Sequence, residues 1–175
     1  MLSTLITSKT RIKLMLKFFL NTSTTSYLRD LEAEFEESTN GIRIELKRFE
    51  TAGLLQSHFE GNKRIYKANT SHPLFSDIHN LLLKYTGIDQ VVNRVLSQLN
   101  GLQQAWLVGD FARGRYGQTI DLLLVGGRID VEALQQRVKA AEELIGRNIR
   151  YHIFERTPIR NTQMQFRERL LLFEG

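Results

Sequence analysis

The stretch Leu107 to Val125, LVGDFARGRYGQTIDLLLV, concentrates the residues of this chain that could do chemistry. It reads as a strand, a glycine-flanked turn and a second strand built around one carboxylate, Asp121. Glycines 109, 114 and 117 let backbone amides approach a ligand closely, and Arg113 and Arg115 offer donors to a phosphate or carboxylate. Phosphoryl or nucleotidyl transfer asks for more. Paired carboxylates must project from one side of a strand, so that divalent cations bridge them to a triphosphate. Positions 119 and 121 share a face by the two-residue period of a strand, yet Thr119 carries no charge.

The elements that must position this stretch are legible on both sides. Val91, Val92, Val95, Leu96 and Leu99 predict a helix ended by Gly101, and Ala105 to Val108 begins a strand. Asp130 is placed to cap a helix through Val131, Leu134, Val138, Ala141 and Leu144 that stops at Gly146. Ile149 to Phe154 is a further strand, with Ile149, Tyr151 and Ile153 on one face. Beyond Thr157-Pro158 a last helix is expected near Asn161 to Phe173, with Phe166, Leu170 and Phe173 on one side. Helix, strand, turn, strand, helix, strand describes a small α/β domain over residues 88–175.

Over roughly residues 88 to 155 the chain resembles the minimal nucleotidyltransferases. These carry a strand, Gly-Ser, a residue or two, Arg-Gly, and then Ser-Asp-x-Asp at the next strand. Gly109 stands at the first glycine, Asp110 replaces the serine, Ala112-Arg113-Gly114 match, and Gln118-Thr119-Ile120-Asp121 occupies the Ser-Asp-x-Asp position. The resemblance implies a third carboxylate on a later strand. Tyr151, His152, Ile153 and Phe154 supply none, and Glu155 stands only at the strand end. Asp110 would repel a triphosphate unless a cation intervened. The reading is therefore a domain without catalytic residues, metal ligands or a cofactor, unless Asp110, Asp121 and Glu155 together rebuild a site. Gly109, Asp110, Arg113, Gly114 and Asp121 remain candidates for binding a nucleotide or other small anionic effector without turnover. Asp121 can instead be structural, bonded to the Gly109 turn or paired with Arg113.

The first half reads differently. Ser8 can cap a helix carrying Ile12, Met15, Leu16, Phe19 and Leu20, with Lys9, Lys13 and Lys17 on another face. NTSTTS supplies turn and capping hydroxyls, then Tyr27, Leu28, Leu31 and Phe35 predict a short second helix. After EESTNG, Ile42, Leu46, Phe49 and Leu54 define a third, with Gly53 at its end. Leu54 to Phe59 and Arg64 to Ala68 are strand-like runs joined by Glu60-Gly61-Asn62-Lys63, a hairpin with a basic tip. Leu74, Ile78, Leu81, Leu82 and Tyr85 make a fourth helix that ends at Gly87.

This order resembles the winged helix-turn-helix domain of ArsR-like transcription regulators, over residues 1–87. The resemblance implies double-stranded DNA as partner and a homodimer. Cations must then lie on the outward side of the third helix, since phosphates dominate affinity. Arg43 and Lys47, one turn apart, and Arg48 meet that need. Thr39 and Asn40 stand at the helix start, and Lys63 with Arg64 on the wing can follow the neighbouring groove. The same charges would also suit a plain solvated helix face.

Composition bounds these readings without choosing among them. The 175 residues carry a formal charge of +5. The excess is spread evenly: residues 1–87 hold 12 basic and 9 acidic side chains, residues 88–175 hold 12 and 10. Net charge is thus weak support for DNA. The sequence has no cysteine, which removes thiolate metal sites and disulfides. His58, His72 and His79 form no metal constellation with carboxylates. Apolar runs are too short to span a bilayer, and no signal-peptide pattern opens the chain, so a cytoplasmic location is expected. The expected protein is a two-domain α+β and α/β chain acting as a sequence-specific regulator. An active Mg-dependent nucleotidyltransferase modifying a small molecule, a nucleic acid end or a toxin protein is the alternative, and a protein-binding winged helix is a third.

Overall fold

A computed structural model describes residues 2–155 and 168–175. The chain divides into two compact units, Met1–Tyr85 and Thr86–Gly175.

The first unit opens with α1 (Leu2–Leu5) and α2 (Lys9–Met15), whose Ser8 cap accepts a hydrogen bond from the Arg11 amide at 3.2 Å. The helix widens into a π-helical continuation over Leu16–Leu20, in which all five residues are buried. Lys17 tolerates this because its ammonium reaches Glu34 at 2.9 Å. The run expected to be turn and capping residues contributes instead a short strand, β1 (Thr25–Tyr27), so Tyr27 belongs to a sheet and not to the next helix. Pairing of Thr25, Ser26 and Tyr27 with Lys67, Tyr66 and Ile65 decides the matter, a contact that local pattern cannot show.

Then come α3 (Leu28–Phe35) and α4 (Thr39–Thr51), separated by a turn in which Glu36 takes a left-handed φ of 53° and Ser38 caps α4. The hairpin β2 (Leu55–Glu60) and β3 (Lys63–Ala68) turns at Gly61, and the sheet order is β1-β3-β2, all antiparallel. α5 (Phe75–Thr86) closes the series. Leu14, Phe18, Phe19, Leu20, Leu31, Ile42 and Leu82 are fully buried. Each such side chain stabilises the fold by about 1.5–3 kcal/mol. The helix-turn-helix pair α3 and α4, the flanking helices, and the β2–β3 wing hairpin joined to β1 in a three-stranded sheet make this a winged helix-turn-helix fold.

The second unit begins with α6 (Ile88–Val91), which runs into a π-helical turn over Val92–Leu96. The helix stops there, short of Gly101, and β4 (Leu102–Val108) begins three residues earlier than the apolar pattern predicts. A single helical turn, α7 (Gly109–Ala112), leads through the Arg-Gly loop to β5 (Thr119–Gly126). α8 (Val131–Ile145) is capped by Asp130, whose carboxylate accepts from the Ala133 amide at 3.0 Å, and ends at left-handed Gly146. β6 (Asn148–Phe154) and β7 (Leu170–Glu174) complete a sheet of order β6-β5-β4-β7.

Residues 170–173 are therefore strand, not the helix that Leu170 and Phe173 suggest. Their alternation is equally compatible with a sheet, and pairing with Gln104–Leu107 wins. The remainder of that expected helix, residues 161–167, lies outside the described residues. β5 runs antiparallel to β4 and parallel to β6, the parallel step being bridged by α8. Ile120 and Leu122 through Val125 are all buried, as in a central strand covered on both faces. Leu123, Val125 and Val108 form a cluster with Trp106 and Phe154, and Asp121 shares their face. The unit is a small α/β fold built on a four-stranded mixed sheet.

Candidate functional site

Two clefts gather the residues singled out by sequence. The first, of about 460 Å³, lies in the winged helix between three elements. The start of α3 supplies Leu28 and Arg29, α4 supplies Arg43 and Leu46, and the wing supplies Asn62, Lys63, Arg64 and Tyr66, with Tyr27 of β1 beside them. Four of these side chains are cationic and none is acidic.

The geometry sorts the cations. Arg43 and Lys47 are exposed on one ridge of α4, with Asn40 exposed at its start and Thr39 half-buried. Ile44, between them, leaves 43% of its surface open. Arg48 lies off this ridge, where its guanidinium meets Glu45 at 2.9 Å. Arg64 is fixed: it bonds Glu50 of α4 at 2.6 Å and Ser57 at 2.9 Å, and its guanidinium sits 5.5 Å from the Tyr66 ring centre. It anchors the wing to α4. Lys63 stands 4.3 Å over the Tyr27 ring, a cation–π contact that leaves the ammonium available to an anion. Burial pushes the Tyr66 phenol up, against the opposing charges of Arg64 and Arg43.

Glu45 forms a hub on the other side of α4. Burial raises its pKa, but hydrogen bonds from Arg11 and Ser8 and the charges of Arg11 and Arg48 outweigh that and leave it below 4.5. Glu37 is lowered in the same way, burial being outweighed by Lys13 and Thr10.

Sequence reading missed Tyr27, Arg29, Asn62 and Tyr66. Arg29 stood in the expected second helix, but its facing α4 and the wing depends on β1 pairing with β3. The three histidines fill local roles. His58 pairs with Glu60, His72 accepts from the Leu74 amide, and His79 bonds the Phe19 carbonyl.

The second cleft, of about 230 Å³, is lined by Val108, Gly109, Arg113, Asp121, Arg150, His152 and Glu168. It brings together three of the five residues expected there: Gly109, Arg113 and Asp121. Asp110 is exposed and Gly114 is buried in the loop turn, and neither lines the cleft. Gly109 has φ 70°, and a β-carbon on it would come within 3.0 Å of Asp121 Cγ. The Arg-Gly loop is held by Arg147, which lies over the Phe111 and Tyr116 rings and donates to the Gly117 carbonyl and the Tyr116 hydroxyl.

Asp121 is bound by a residue that sequence reading passed over. Arg150 stands beside it in parallel register, and its Nε donates to Asp121 Oδ1 at 2.5 Å. That hydrogen bond and the Asp121 charge push the Arg150 pKa up. The signal was present: alternation of Ile149, Tyr151 and Ile153 leaves Arg150 and His152 on the opposite face. What was not legible is the register that sets Arg150 against Asp121. Among the described residues no three His, Asp or Glu side chains come close enough to hold a metal ion, so Asp110, Asp121 and Glu155 do not assemble.

No family model and no curated protein matches the sequence. Solved structures give partial likenesses. Reduced HlyU from Vibrio cholerae aligns over 47% of this chain and 82% of its own, with 17% identity and a TM-score of 0.38. A mutant of the MntA-HpeT toxin–antitoxin aligns over 50% and 73%, with 11% identity and a TM-score of 0.41. A candidate nucleotidyltransferase from Sulfolobus solfataricus aligns over 57% and 87%, with 20% identity and a TM-score of 0.36. At these values the likenesses assign neither family nor activity. No helix among the described residues is long and apolar enough to cross a membrane.

Proposed function

We propose that this protein is a sequence-specific DNA-binding transcription regulator of the cytoplasm, acting as a homodimer on a two-fold operator. The observation that carries this reading is the convergence of Arg29, Arg43, Lys63 and Arg64 from three elements on one cleft with no acidic lining residue. Arg43, Lys47 and Asn40 are the groove-facing set on α4, with Thr39 at its start and Ile44 offering an apolar contact to a thymine methyl. Lys63 on the wing and Arg29 on α3 reach phosphates. Arg64 orients the wing through Glu50, and Arg48, bonded to Glu45, contributes at the periphery. A dimer fits this reading because two reading helices one helical turn of DNA apart match a palindrome. The second unit serves as a structural, dimerisation or effector-binding module. Mg-dependent nucleotidyl transfer is disfavoured by Thr119 and by the cation, Arg150, beside Asp121.

The test is retention of genomic DNA fragments, including the gene's own upstream region, by the full-length protein at two salt concentrations. Selective retention that weakens steeply with salt is the expected result. Salt-insensitive retention, or none beyond nonspecific binding, overturns the reading and favours a protein-binding winged helix.

A further inference from the structure

Tyr27 stands where α3 begins, its backbone extended, in the position that normally caps a helix. Serine, threonine, aspartate or asparagine there would satisfy an open amide of the first turn. The tyrosine side chain makes no such hydrogen bond. Its ring is used elsewhere: Lys63 Nζ lies 4.3 Å from the ring centre. Pairing of β1 with β3 brings the two together, because Tyr27 is opposite Ile65 and Lys63 stands two residues before Ile65, on the same face of the sheet. Glu60, opposite Lys63 in the hairpin, is bonded to His58 at 2.9 Å. Among the described residues no carboxylate pairs with Lys63, Arg29 or Arg43, whereas Arg64 is held by Glu50.

A lysine on a wing ordinarily extends into water, since its four-carbon stem is flexible and its ammonium strongly hydrated. Two arginines lining the same cleft repel it further. An aromatic face holds it without neutralising it, because the attraction comes from the ring quadrupole and leaves the full charge open on the other side. A carboxylate in place of the ring would cancel the charge. The arrangement therefore suits an anion: the charge is kept, and the side chain is ordered before binding. The segment that carries the ring also carries Arg29 two residues on, so one short stretch places both the ring and a second cation in the cleft with Arg43.

We infer that Tyr27 is a positioning residue for DNA binding: its ring holds the Lys63 ammonium toward a backbone phosphate that Arg29 and Arg43 meet from α3 and α4. The inference rests on the DNA-binding reading and adds to it a residue that acts through Lys63.

Fluorescence anisotropy of the full-length protein with a labelled duplex of a retained genomic fragment tests it. Tyr27→Leu should weaken binding about two- to fivefold, the size of one exposed cation–π contact. Tyr27→Phe, which keeps the ring face, should bind like the wild type. On a Lys63→Ala background Tyr27→Leu should cause no further loss, an outcome that a merely structural role of Tyr27 would not produce. Unchanged affinity in a cooperatively melting Tyr27→Leu protein, an equal loss in Tyr27→Phe, or an undiminished loss on the Lys63→Ala background overturns the inference while the DNA reading stands. Absence of salt-sensitive binding by the wild type overturns both. Should Tyr27→Leu fail to melt cooperatively, the wild type decides by NMR: the ring current should move the Lys63 ε-methylene protons upfield of those of the other lysines, and a position among them overturns the inference.

Discussion

Gly109 and Asp121 touch across the junction of β4 and β5. The glycine takes φ 70°, and the carboxylate fills the space a β-carbon would need. Gly109→Ala is therefore strained twice, by about 1–2 kcal/mol for the left-handed backbone and further by the clash. We expect a clear fall in melting temperature, partly relieved when Asp121→Ala is added. A double-mutant cycle measured by thermal denaturation checks this, and strict additivity would refute the contact.

Arg43→Ala and Lys47→Ala should weaken DNA binding while leaving the fold intact, since both side chains are exposed. Each phosphate contact removed lowers the slope of log affinity against log salt by about 0.9. A loss confined to certain base sequences would instead mark the residue as a base reader. Fluorescence anisotropy at several salt concentrations separates the two outcomes.

Arg64 and Glu50 make a different prediction. Their ion pair is partly open and contributes about 0–1 kcal/mol to stability. Its use is positional, because it holds the wing against α4. Glu50→Gln should barely move the melting temperature yet weaken operator binding, although the variant removes a negative charge that DNA would otherwise meet. An unchanged affinity would show that the wing is held by other contacts.

Stability should fall in acid through Glu45 and Glu37. Both carboxyls lie below 4.5 in the folded protein, so their contribution is complete above that pH and is lost as pH drops through the folded values. Glu45→Gln should cost about 1–3 kcal/mol at neutral pH, from its charged hydrogen bonds to Arg11 and Arg48. The variant should also show a flatter loss below pH 4.5. Denaturant melts across pH 3–7 measure both effects.

Phe111→Ala tests the core beneath the Arg-Gly loop. The ring is fully buried and packs against Tyr116 and Arg147. Removal should destabilise by about 3–5 kcal/mol.

Much of the molecule was legible in the chain itself. Ser8 and Asp130 announced their caps, Gly146 its helix end, and Gly61 the wing turn, because these depend on residues a few positions apart. The apolar periods of α4 and α8 and the central strand β5 were equally local. The same applies to the missing charge at Thr119, which needs only the two-residue period of a strand.

What escaped depends on pairing between distant segments. Thr25–Tyr27 has no strand signal of its own and becomes one because β3 offers an edge; Leu170–Phe173 likewise becomes a strand against β4. Sequence by itself determined that Asp121 stands without a second carboxylate two residues before it. Only the tertiary structure decided that an arginine answers it, because the parallel register of β5 and β6 is set by the α8 crossover and not by any local pattern.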